Sequence, residues 1–102
     1  MELSLKDRVK IPDTVVSREL DGEAVILNLE SSTYFGLDPV GARIWTLLKE
    51  LGSLGAVMGI MEQEYDVDAV RLEGDLLQLT TQLCALGLVR VVTKSSLEPP
   101  VE

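Results

Sequence analysis

The stretch from Tyr34 to Trp45, YFGLDPVGARIW, joins a short aromatic strand to an amphipathic helix. Thr33, Tyr34 and Phe35 are β-formers by shape, and Gly36 relaxes the backbone behind them. Asp38 then offers a side-chain oxygen to the free N–H groups that open a helix, and Pro39 takes the first helical position, where its missing donor costs nothing. Val40, Ile44, Leu47, Leu48 and Leu51 follow at spacings of four, three, one and three, which is one face of a helix, and Gly52 stands where a C-terminal cap belongs. The spacing predicts a helix over 39–51. No side chain suited to catalysis lies near this joint, which is shaped as a surface that holds another chain.

Upstream, 14–20 (TVVSREL) and 24–29 (AVILNL) read as strands, with Asp21-Gly22 between them as a hairpin signal. A third strand over 33–37 follows the polar loop Glu30-Ser31-Ser32. Val9 and Ile11 alternate with Arg8 and Lys10, so the segment before Pro12 either extends the first strand or packs as an arm. Downstream, Ser53 caps a second helix whose apolar positions are Leu54, Val57, Met58, Met61 and Tyr65. Its internal glycines make it the least stable helix. Asp68 caps the third and longest, with Leu72, Leu76, Leu79, Leu83 and Leu86 as its stripe up to Gly87. A thinner line of Val70, Leu77 and Cys84 runs beside that stripe, either widening the buried face or lining a groove. Leu88 to Val92 forms a short strand or packs as a tail. A domain over 1–92 is expected, and disorder in the polar, proline-bearing tail over 93–102.

Composition removes most chemistries. The chain has 102 residues, 46% of them hydrophobic, enough for one domain with its own core. No apolar run approaches the roughly 18 to 20 residues that span a bilayer, and MELSLKDRVK lacks the apolar centre of a signal peptide, so a cytoplasmic protein without membrane attachment is expected. The single cysteine, Cys84, cannot close an internal disulfide, and within a leucine-rich helix it reads as a small buried hydrophobe. With no histidine, the chain cannot assemble a Cys-His or Ser-His nucleophilic pair or a zinc site of the usual ligands. The carboxylate run Glu62, Glu64, Asp66, Asp68 lacks the glycine and closing glutamate of a calcium loop, and no Lys-Ser or Lys-Thr pair follows Gly52, Gly55 and Gly59 as a phosphate loop would need. Neither catalytic residues, metal nor cofactor are expected.

Three antiparallel strands followed by three helices outline an α+β, winged helix-turn-helix-like fold, which raises DNA binding as a rival function. Charge decides against it. A DNA reader neutralises phosphates with Lys and Arg, whereas this chain carries a net charge of −8 with a pI of about 4.4. The helix that would enter the groove bears Asp68, Glu73 and Asp75 against Arg71 alone.

The order of the Glu23–Leu29 hairpin strand, then Tyr34, Gly36, Leu37, Gly41, Ile44 and Trp45, then Tyr65–Asp68, Asp75 and the closing Leu86-Gly87-Leu88-Val89 resembles the PqqD-like family. These are recognition elements for ribosomally made, post-translationally modified peptides, and the resemblance spans about residues 8–92. It implies a non-catalytic, standalone peptide chaperone that captures the leader of a precursor peptide. The leader would add as a strand along the third strand and pack against the third helix, a β-augmentation in which main-chain bonds give affinity and side-chain pockets give specificity. Carried over by position, the implied contacts are Ser32, Thr33, Tyr34 and Phe35 from the strand and Val70, Arg71, Gly74, Asp75 and Gln78 from the helix. Which of Tyr34 and Phe35 faces the groove is open.

The implied partners are that leader and a separate modifying enzyme. This enzyme is a radical S-adenosylmethionine enzyme, as in pyrroloquinoline quinone synthesis, or a leader peptidase with a cyclase, as in lasso-peptide pathways. The hairpin with YFGLDPVGARIW looks closer to the lasso-type members. A monomer or weak dimer is expected. The alternative within the same outline is an acidic winged-helix module for protein–protein assembly or dimerisation, its exposed strand pairing with its own copy.

Overall fold

A computed structural model of the chain describes residues 3–92; the tail expected over 93–102 lies outside the described residues. In chain order the elements are β1 (Arg8–Lys10), β2 (Val15–Leu20), β3 (Glu23–Asn28), β4 (Thr33–Leu37), α1 (Pro39–Leu51), α2 (Leu54–Glu64), α3 (Ala69–Ala85) and β5 (Arg90–Val92). Strands β2, β3 and β4 form an antiparallel sheet in that order, and three helices follow, as the local patterns predict. Asp21 and Gly22 turn the first hairpin with φ of 55° and 83°, both left-handed, which is what a two-residue hairpin of matching twist requires.

The segment before Pro12 neither extends β2 nor packs as a loose arm. It forms β1, which pairs antiparallel with β5 and sets Val9 opposite Val91. This second, two-stranded sheet is additional to the three strands expected. Val9 drops into the core at 5% exposure, while Arg8 and Lys10 stay outside. A partner some eighty positions away leaves no trace in a local pattern.

Helix α1 is the centre of the molecule. The Asp38 side chain accepts from Gly41 N–H at 2.7 Å, and Gly52 closes the helix at φ 72°, its N–H donating to the Leu48 carbonyl. The Gly52 carbonyl accepts from Val9 N–H at 2.8 Å, and a Cβ at Gly52 would stand 3.2 Å from the Val9 carbonyl oxygen. The α1 terminus is therefore also the seat of β1. Ala42, Ile44, Trp45, Leu47 and Leu48 are buried, a wider face than the single stripe expected, because β3 packs on one side of α1 and α2 on the other. The ends of the expected stripe fall outside it: Leu51 is half-buried and Val40 is exposed. Trp45 sits at the middle with its Nε1 buried and without a hydrogen-bond partner among the described residues.

Ser53 caps α2 through Ala56 N–H, and Leu54, Val57, Met58 and Met61 are buried as the spacing requires. Asp68 caps α3 through Arg71 N–H. Leu72, Leu76 and Leu83 form its buried stripe, but Leu79 is only half-buried and Leu86 is exposed beyond the end of the helix. Thr80 is buried in their stead; its hydroxyl donates back to the Leu76 carbonyl at 2.8 Å, which makes a polar residue tolerable there. Cys84 is half-buried, and that burial pushes its thiol above the ordinary range. Among the described residues no helix is long and apolar enough to cross a membrane.

Candidate functional site

Strand β4 has β3 on one side and an open edge on the other. Alternate N–H and C=O groups along such an edge lack ladder partners and can template an added strand. Cross-strand register fixes which side chains accompany them. Phe35 aligns with Ile26 and Ser17 on the inner face of the sheet, and Tyr34 aligns with Leu27 and Val16 on the outer. The inner face lies on α1, so Phe35 reaches the free edge from the core side.

Beside that edge lies a groove of about 410 Å³. Phe35 and Leu37 form its strand wall, Val40 and Ile44 of α1 its floor, and Asp75 and Leu79 of α3 its far wall. It runs into a second depression of about 270 Å³ bounded by Tyr65, Val67, Arg71 and Leu72, with Val40 and Asp75 common to both. The two make one trough from the sheet edge to the loop between α2 and α3. The capping turn at Asp38 carries the chain from β4 directly into α1, and Val40 in the first turn of that helix stays exposed on the trough. The trough is apolar along its base, with the carboxylate of the helix cap Asp38 at its strand end, that of Asp75 midway and one guanidinium, Arg71, toward its far end.

A family model described as Coenzyme PQQ synthesis protein D (PqqD) matches residues 23–89, from β3 through the turn after α3. The chain belongs to the PqqD family. Among solved structures, this PqqD-family chain is similar to "TbiB1 in Complex with the TbiA(beta) Leader Peptide", with 42% identity, coverage of 78% of this chain and 93% of that one, and a TM-score of 0.74. The curated proteins contain no match.

Every candidate residue falls inside the PqqD match, and the fold sorts them into groups. Phe35 and Asp75 face each other across the groove, and Arg71 lines its continuation. Val70, Gly74 and Gln78 are exposed and recur every four residues, a strip along the outside of α3, with Val70 77% exposed. Ser32 is exposed in the loop before β4 at φ 61°. Thr33 is half-buried, its N–H donating to Ser31 Oγ at 3.3 Å and its hydroxyl accepting from the same group at 3.0 Å. Tyr34 is 73% exposed and points to the opposite side of the sheet, away from the trough. The open alternative between Tyr34 and Phe35 thus resolves in favour of Phe35.

Val40, Ile44, Tyr65, Val67, Leu72 and Leu79 line the trough and were not among the candidates, since helical spacing assigns most of them to the core. The signal that marks two of them is position. Val40 lies in the first turn of α1, next to the strand-to-helix joint, and Val67 lies in the loop before α3, where a β-branched apolar residue has no stripe to join.

Proposed function

We propose that this chain is a non-catalytic peptide-binding protein that takes the leader of a ribosomal precursor peptide as an added strand on β4 and presents it to a separate modifying enzyme. The observation that carries this is the pairing of an open strand edge with an apolar trough immediately beside it. An extended peptide on that edge satisfies its main-chain groups against β4 and drops alternate side chains into the trough, next to Phe35 and between Val40 and Leu79. TbiB1, 42% identical to this chain, has been solved with a leader peptide bound, which supports the same ligand class here. In this reading the enzyme is a separate partner, and the cytoplasm, where ribosomal precursors are made, is the setting. A radical S-adenosylmethionine enzyme and a leader peptidase with a cyclase both fit this role.

Fluorescence anisotropy with a labelled synthetic leader, taken from a precursor encoded near this gene, tests the proposal. One leader should bind per chain. Asp75→Ala should weaken binding by about 10-fold, as a central contact does, with an unchanged melting temperature, because Asp75 is exposed and has no hydrogen-bond partner among the described residues. Phe35→Ala is a poorer probe, since Phe35 also packs against the core and its loss lowers stability as well as binding. Full-strength binding by Asp75→Ala would remove α3 from the site. A chain that ignores every leader but forms an obligate dimer in light scattering would be an assembly module.

A further inference from the structure

Two charged side chains of α3, Arg71 and Asp75, stand one helical turn apart on the wall of the trough, and both are exposed. They are not spent on each other. Arginine ahead of an acidic residue is the weaker order for a pair at that spacing, and among the described residues the ion pair is Arg43 with Glu64 instead. The neighbouring carboxylates are already engaged: Asp68 accepts from the Arg71 main-chain N–H at 3.3 Å, and Asp38 accepts from Gly41 N–H at 2.7 Å. Leu79, one turn beyond Asp75, completes the row. An open cation, an open anion and an apolar side chain thus follow one another at four-residue steps.

The row runs alongside β4. Asn28, opposite Thr33 where β4 begins, donates to the Gly87 carbonyl just after α3. Leu79 and Asp75 lie across the trough from Phe35 and Leu37, and Arg71 lies farther on with Tyr65 and Val67. Helix α3 therefore travels back along β4 in the opposite direction, advancing about 6 Å in each four-residue step. A strand laid on the β4 edge returns a side chain to the same face every two residues, about 6.6 Å apart. The two spacings match over three positions.

We infer that the trough selects its peptide by the order of charge: the leader carries an acidic residue, a basic one two positions later and an apolar one two positions after that. The inference rests on the leader-binding function proposed above and names the ligand of that site. Antiparallel pairing is the more stable per residue, and β2, β3 and β4 already follow it, so the added strand runs against β4 and with α3. Its acidic side chain meets Arg71, its basic one meets Asp75, and its apolar one settles between Leu79 and Phe35. The net charge of −8 draws in any cationic peptide, but Arg71 repels one that is basic throughout. Sign order also fixes register. A slip of two residues one way sets the basic residue on Arg71, and a slip the other way sets the acidic residue on Asp75.

The probe is the synthetic leader of the precursor encoded near this gene, labelled and titrated by fluorescence anisotropy against the full chain at low salt. Its sequence should contain the acidic-x-basic-x-apolar pattern. Replacing the charged pair with Gln-x-Gln should weaken binding about 10-fold, a loss that shrinks as salt is raised, and exchanging the two charges should weaken it about 30-fold. The chain carrying Arg71→Glu with Asp75→Arg should reverse the preference, binding the exchanged leader about 10-fold more tightly than the natural one. These leader changes leave the chain untouched, so they decide the matter even should the double variant fail to fold. Capture of a natural leader that lacks the pattern overturns this inference and leaves the proposed function standing, as does equal binding of the natural, Gln-x-Gln and exchanged leaders. Tighter binding of the exchanged leader by the wild-type chain overturns it too, and so does a folded double variant that still prefers the natural order. Failure of the wild-type chain to capture any leader overturns the proposed function and this inference together.

Discussion

Asn28 holds the two walls of the trough at their spacing. It is 7% exposed at the end of β3, where its Oδ1 accepts from Glu30 N–H at 2.9 Å and its Nδ2 donates to the Gly87 carbonyl at 3.1 Å. One side chain therefore fixes the loop that leads into β4 and the turn that leaves α3. Asn28→Ala should cost about 1–3 kcal/mol in urea denaturation, since it removes two part-buried hydrogen bonds and frees the loop. A loss under about 0.5 kcal/mol would mean that the two walls are set elsewhere. Neither Asn28 nor the choice between Tyr34 and Phe35 was readable from sequence. Alternation says that two neighbours face opposite ways, but only a partner strand says which way is in.

At the scale of elements, the legible parts were those with local chemistry: Asp38, Ser53 and Asp68 at helix starts, Gly52 at a helix end, Asp21-Gly22 at the hairpin. What was missed is non-local. The β1–β5 ribbon joins the two ends of the described chain, and the breadth of the α1 core face follows from two neighbours packing on it from different sides. Helix α1 is also clipped to the end of α2 by Arg43, whose guanidinium donates through both Nε and Nη2 to the Glu64 carboxylate. That hydrogen bond holds the Glu64 carboxyl below its ordinary value of 4.5. A carboxylate depressed in the folded state stabilises it when ionised, so the contribution is complete above pH 4.5 and fades as the pH falls through the depressed value. Glu64→Gln should lower the melting temperature slightly at pH 7 and low salt, where exposed pairs are least screened. The difference from wild type should narrow steadily as both are acidified. A gap that widens toward acid would exclude the clip.

At the scale of the molecule, one helix divides two surfaces of different character. The sheet turns its apolar outer face to solvent on one side, and its β4 edge opens onto the trough beside α3 on the other. The net charge of −8 disfavours contact with nucleic-acid phosphates. The fold class was legible because its elements are short, capped and patterned; the trough was legible only as two walls, because its floor is made of residues that helical spacing files with the core. Peptide addition on β4 is tested most directly by titrating the ¹⁵N-labelled chain with a synthetic leader and following backbone amides by NMR. The predicted result is saturable perturbation, at one leader per chain, of amides over 32–36 and over the first half of α3, 69–78. Perturbation confined to the opposite sheet edge, over 15–20, with β4 and α3 unmoved, would contradict it.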